Sequence, residues 1–138
     1  MPRVAHIFRA LKKRLPMEPL LVANLVENHG VEGCAHARPN GARQVLLVDL
    51  ETLSAMNLQP GIIRENITTE GLNVNGLAPG QRLRVGQTLL EVSMVCTPCD
   101  QLEKVRPGLR RELYGRRGML CRVIEGGTIV PCDSIERV

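Results

Sequence analysis

The chain has 138 residues, 43% of them hydrophobic, with a net charge of +4. That length suits one domain with a real core and no second one. No apolar run approaches the roughly 20 residues of a membrane span, and neither a secretory leader nor a Ser-rich transit peptide opens the chain, so a cytoplasmic protein with no membrane role is expected. Five cysteines without a secretory signal read as free thiols, ligands or reactive groups rather than as a disulfide framework.

Thirteen Gly and nine Pro break the chain at short intervals, and Val, Ile, Thr and Leu fill the gaps. A β-rich fold follows. In chain order, "VAHIFR" (4–9) is ambiguous: Val4, Ile7, Phe8, Leu11 and Leu15 fall at helical spacing, yet they also suit a short buried strand ending at the basic "KKR" loop and Pro16. The spacing leans to helix. "LLVANLV" (20–26), "QVLLVD" (44–49), "QRLRVG" (81–86) and "TLLEVSMV" (88–95) are strand candidates; the last alternates Leu90, Val92 and Met94 on one face with Leu89, Glu91, Ser93 and Val95 on the other. Two short helices are predicted, "DLETLSAMN" (49–57) with Asp49 as N-cap and "PGLRRELYG" (107–115) with Gly115 past its end. The closing "CRVIEGGTIVPCDSIERV" reads as a strand, a Gly126–Gly127 hairpin turn and a second strand.

Chemistry is expected in the turns. The Gly-rich connection before "QVLLVD" carries Cys34, His36, Arg38 and Arg43 within ten positions: a soft ligand, a titratable ring and two anion-binding forks, or simply a solvated loop. "RENITT" (64–69) supplies Glu65 and Asn66, which would orient a ligand or cap a turn. Residues 104–122 hold seven Lys or Arg and one acid, Glu112, a local +6. With one Phe, one Tyr and no Trp for base stacking, nucleic acid is a poor partner; a small anion at the "GRRG" turn (115–118) is the more economical ligand.

"VCTPCDQLE" (95–103) places Cys96 and Cys99 where a strand gives way to a turn, just ahead of that basic segment. Four readings compete. A redox C-x-x-C pair wants a βαβ setting that the neighbouring sequence does not offer. A zinc site needs two more ligands, and neither Cys34 with His36 nor Cys121 with Cys132 has the C-x₂-C spacing, so no zinc is expected. Buried inert thiols are ordinary, Cys121 above all. The fourth is a reactive thiolate beside cations.

Six segments in order, "GVEGCAH" with the later Arg43, "RENITTEGL", "LAPGQRLRVG", "LLEVSMVCTPCDQLE", "GRRGMLCRVIEGGTI" and "CDSI", resemble the MOSC domain, the module at the C-terminus of molybdenum cofactor sulfurases. The resemblance spans nearly the whole chain. It implies a mainly β, barrel-like fold with two or three short helices, in which "VAHIF" is the first strand. It also implies association with the pterin–molybdenum cofactor, and a family cysteine, here Cys99, that carries sulfur as a persulfide or ligates molybdenum without pyridoxal phosphate. On this reading Arg43, Arg116 and Arg117 take the phosphate, and Glu65 and Asn66, with His36, meet the pterin. Cys34 and Cys96 are candidates for a second thiol, Cys34 on the same pocket wall as Cys99.

Three positions depart from the family pattern. Cys34 stands for an acidic residue, Arg64 for a glycine, and Cys132 for the glycine of a closing Gly-Asp. The implied partners are the cofactor itself or a sulfur donor or acceptor protein. Two other functions remain open: reduction of N-hydroxylated compounds with a redox partner, and a non-catalytic binding domain.

Overall fold

A computed structural model describes residues 1–138. The fold is mainly β. The strands are β1 (Arg3–Arg9), β2 (Glu18–Leu20), β3 (Ala23–Val26), β4 (Gly30–Val31), β5 (Val45–Asp49), β6 (Ile67–Glu70), β7 (Arg82–Val85), β8 (Thr88–Val95), β9 (Met119–Glu125), β10 (Gly127–Ile129) and β11 (Ile135–Arg137). The helices are α1 (Leu50–Ala55) and α2 (Leu109–Glu112), with 3₁₀ turns at Val74–Gly76 and Asp100–Lys104. Eight strands form one sheet in the order β11-β7-β8-β9-β5-β6-β1-β2, and β10-β3-β4 form another. The large sheet does not close as a continuous ladder. The start of β1 nevertheless meets the approach to the edge strand β11: Arg3 bridges Ser134, and the amides of Val4, Cys132 and Ile135 donate to the carbonyls of Asp133, Val4 and Pro2.

β5 is buried on both faces, which is why "VLLV" reads as an unbroken apolar run. Val45 and Leu47 join the larger core, with Ile7, Ile67, Leu90 and Val123. Leu46 and Val48 join a smaller one, with Leu53, Ile63, Leu109, Leu113 and Leu120. The period of two along an extended chain thus welds the two cores to one strand. α1 starts as its sequence requires: Asp49 Oδ2 accepts from the Thr52 amide at 3.1 Å and from Thr52 Oγ1 at 2.8 Å. Gly115 follows α2 at φ +82°.

Three local expectations are corrected. "VAHIFR" is a strand, paired with β6 and β2. Its register shifts between Val4 and His6, and the extra residue of that bulge breaks the alternation and leaves Val4, Ile7 and Phe8 at the helix-like spacing. Gly126 and Gly127 do not join a hairpin. β9 pairs with β8 and β5, whereas β10 crosses to β3 in the other sheet; a Cβ at Gly126 would lie 2.6 Å from the Leu25 carbonyl oxygen, so the glycine permits that close crossing rather than a tight turn. The face assignment along β8 holds for Leu90 and Val92, in the larger core, but not for Met94, which packs on the smaller one. The register shifts between Val92 and Met94, and Ser93, the extra residue, donates its hydroxyl to the Leu120 carbonyl at 2.9 Å or to the Ala42 carbonyl.

Candidate functional site

The Ser93 bulge re-aims the end of β8, so that Met94 and Cys96 open onto a cleft of about 510 Å³. That volume suits a small-molecule site. The apolar floor is Leu46 and Leu120, from β5 and β9. Lys13 reaches in from the β1–β2 loop, His36, Arg38 and Arg43 from the β4–β5 loop, Arg64 and Asn66 from the segment before β6, and Arg117 from the "GRRG" turn. Five cations and a histidine line the cleft with no carboxylate among them. Charge of one sign in a low-dielectric concavity selects an anion.

Arg117 is the buried member, 7% exposed. Its Nη2 donates to the Ile63 carbonyl at 2.7 Å, while Nε and Nη1 are buried with no hydrogen-bond partner. Unmade bonds on a buried guanidinium cost several kcal/mol unless a ligand satisfies them. The turn fixes its approach: a Cβ at Gly118 (φ +111°) would lie 2.3 Å from the Leu47 carbonyl oxygen, so only glycine lets this segment press against β5. Arg64 lies at φ +68°, a backbone region that favours glycine, and the family's usual residue there is glycine. Its guanidinium donates to the Leu15 carbonyl, and to that of Lys12 at 3.4 Å, tying the basic β1–β2 loop to the cleft rim.

Of the residues singled out in the sequence, the structure brings His36, Arg43, Asn66, Arg117 and Cys96 together in the cleft wall. The Asn66 amide is committed to the protein. Its Oδ1 accepts from the Leu46 amide at 3.0 Å, and Nδ2 donates to the Phe8 carbonyl at 3.2 Å and to Cys34 Sγ at 3.4 Å. Glu65 lies inside the fold rather than on the wall, where Oε2 accepts from the Gly61 amide at 2.8 Å and from Thr68 at 2.9 Å and so braces the loop that carries Arg64. Arg116 is exposed, with Nε on the Glu112 carbonyl at 3.0 Å. Cys99 is exposed at the head of the 100–104 turn, three residues beyond Cys96 and outside the lining. Arg38, expected from its loop as an anion-binding fork, also lines the cleft, as does Arg64, which stands out in the sequence only as a departure from the family pattern. Lys13 and Met94 carry no site signal in the sequence beyond the "KKR" run that holds Lys13.

The thiols differ sharply. Burial raises Cys96, against the pull of the Arg117 and Arg43 charges, and pushes Cys121 up to about 12. At Cys34 burial also works upward, but hydrogen bonds from the His36 imidazole and from the Ala10 and His36 amides, with the imidazole charge, outweigh it and bring the thiol down to about 7. No group of three or more His, Cys, Asp or Glu side chains is arranged to hold a metal ion, and no helix is long and apolar enough to cross a membrane.

The comparisons with known proteins agree with this architecture. The YuaD protein from Bacillus subtilis superposes with a TM-score of 0.79 at 19% identity, over 98% of this chain and 94% of that one. YiiM from Geobacillus stearothermophilus does so with a TM-score of 0.81 at 18% identity, over 100% and 75%, and YiiM from Escherichia coli with 0.71 at 20%, over 99% and 69%. At such identities the likeness concerns the fold. No curated protein matches the sequence. The model of the MOSC domain matches residues 36–136, from the cleft histidine to the last strand, and the chain belongs to the MOSC domain family.

Proposed function

We propose that the cleft holds the phosphate end of the pterin–molybdenum cofactor and that Cys99, at its approach, is the sulfur-handling or metal-ligating thiol. The observation that carries the reading is Arg117, a buried cation with two nitrogens, Nε and Nη1, unpaired in a cleft that has no acid. The donor set fits the group. Arg117 offers its two free donors to a phosphate, Arg43 and Arg64 add charge at the rim, Leu46 and Leu120 offer an apolar floor to a flat ring, and the thiol of Cys96 and the thioether of Met94 present soft sulfur. When bound, the cofactor supplies the redox and thiophilic chemistry of its metal.

The chain's own part is to bind, orient and offer a thiol. Cys99 is exposed, so a donor protein can reach it. Its thiolate attacks the outer sulfur of a donor persulfide, the donor S–S bond breaks, the donor leaves as a thiolate, and Cys99 keeps the sulfane sulfur with no net oxidation or reduction. The test is to purify the chain from a host that makes the cofactor and measure molybdenum and phosphorylated pterin by mass spectrometry, for the native protein, Cys99→Ser and Arg117→Met. Pterin retained by the native protein and lost from Arg117→Met supports the cleft; loss of molybdenum or of a +32 Da adduct in Cys99→Ser supports the thiol. Equal pterin in the native protein and Arg117→Met would refute the assignment.

A further inference from the structure

The β1–β2 loop brings one cation to the cleft, and a single side chain holds it there. Residues 11–16 are exposed and take part in no backbone–backbone hydrogen bond. Their hydrogen bonds come from Arg64 alone, whose Nη1 donates to the Leu15 carbonyl and whose Nη2 donates to that of Lys12 at 3.4 Å. The two carbonyls bracket a turn at Lys13 and Arg14, with Arg14 at φ +68°. Of the three cations in this run, only Lys13 lines the cleft.

Arg64 projects from a rigid base. Ile63, Glu65 and Asn66 are buried, the Arg64 amide donates to the Gly61 carbonyl at 3.0 Å, and the Glu65 carboxylate accepts from the Gly61 amide at 2.8 Å. Arg64 itself holds a left-handed backbone, φ +68°, where the family carries glycine, so this side chain is kept at a conformational cost. No acid offsets its charge: the six ion pairs of the fold include none of the five cleft cations. A guanidinium has five N–H donors in a fixed fork, enough to hold two loop carbonyls and still face an anion.

We propose that Arg64 is a positioning residue that straps the β1–β2 loop to the cleft rim and so delivers Lys13 to the phosphate-class anion bound there. The inference rests on the anion reading of the cleft and adds to it a device that this chain builds at a position where the family has no side chain. Without the strap, a loop with no other hydrogen bond opens readily, and a lysine on it returns to solvent.

Limited trypsin digestion reads the strap without any ligand, and calorimetric titration with pyrophosphate at low salt reads its effect on binding. Arg64→Gly should keep a native-like melting temperature, because glycine adopts the left-handed backbone freely. Cleavage after Lys12, Lys13 or Arg14 should nevertheless become about tenfold faster, as the loss of roughly one hydrogen bond of local restraint implies. Arg64→Lys keeps the charge but cannot fork to both carbonyls, so it should lose the same protection. Pyrophosphate affinity should fall about tenfold in Lys13→Ala and about 100-fold in Arg64→Gly, which loses the rim charge and Lys13 together. The double variant Lys13→Ala/Arg64→Gly should then bind no more weakly than Arg64→Gly alone. Losses that multiply in the double variant, or native trypsin resistance in Arg64→Gly or Arg64→Lys, overturn the proposal. If the native protein binds no pyrophosphate while Arg64→Gly is cleaved faster, the anion reading of the cleft fails and the strap alone stands.

Discussion

Replacing Arg117 by Met separates binding from folding in this protein. The guanidinium makes one hydrogen bond to the protein, Nη2 to the Ile63 carbonyl at 2.7 Å, and leaves Nε and Nη1 buried without partners. Methionine removes the charge and its two unmade bonds, a gain, and leaves one carbonyl unpaired at a cost of about 1–3 kcal/mol. The two effects offset, so the ligand-free variant should stay within about 2 kcal/mol of the native protein. Binding should suffer far more. Two charge-assisted bonds to a phosphate contribute about 3 kcal/mol or more, which corresponds to a loss of affinity of at least 100-fold. The assay is thermal unfolding with and without pyrophosphate. At 100 times its Kd the ligand stabilises by about 2.7 kcal/mol, or roughly 9 °C for a chain of this length, and that increment should vanish in Arg117→Met. An equal ligand-induced shift in both proteins would refute the anion site. A ligand-free variant that loses more than about 4 kcal/mol would show that the guanidinium serves the fold instead.

Limiting iodoacetamide followed by peptide mapping should mark the exposed Cys99 and Cys132 first and spare the buried Cys121 until denaturant is added; early label on Cys121 would contradict the packing. The pH profile of unfolding should rise and then fall. Cys34, lowered to about 7 from 9.0, binds its proton more weakly folded than unfolded, so its contribution is lost as pH falls through 7 and is complete above 9. Cys121, raised to about 12, contributes fully below 9 and costs on the order of 1.4 kcal/mol per pH unit between 9 and 12, a slope that should disappear in Cys121→Ala. Gly118→Ala should destabilise by more than 3 kcal/mol, because its Cβ would lie 2.3 Å from the Leu47 carbonyl oxygen and φ is +111°; a near-native melting temperature would mean that the β5 contact yields. Cys132, at φ +79° where the family has glycine, should gain a few tenths to about 1 kcal/mol in Cys132→Gly, the left-handed penalty outweighing the added chain entropy; a loss of stability would show that the side chain offsets its strain.

The features legible along the chain are local or carried by ordered motifs. Asp49 opens α1 because an Asx side chain caps the amide three residues on, and β5 is a doubly buried strand because four apolar residues in a row admit little else of that length. The six-segment pattern identified the family and made "VAHIF" a strand where periodicity leaned to helix. Whatever depends on a partner strand emerges only when the strands pair. The bulges at Val4–His6 and at Ser93 are properties of pairs of strands, invisible along either one, yet the second turns Met94 away from the face of Leu90 and Val92. It sets Cys96, not Cys99, in the cleft wall. The Gly126–Gly127 crossing depends on how close the Leu25 backbone lies. The charge of the cleft is likewise non-local: "KVRPGLRRELYGRR" is the basic stretch the eye finds, but Arg117 is its one member in the site, and the other four cations come from three separate segments of the chain. A run of like charge in sequence spreads over solvent, whereas a field strong enough to hold an anion needs cations converging from several elements on a floor that excludes water.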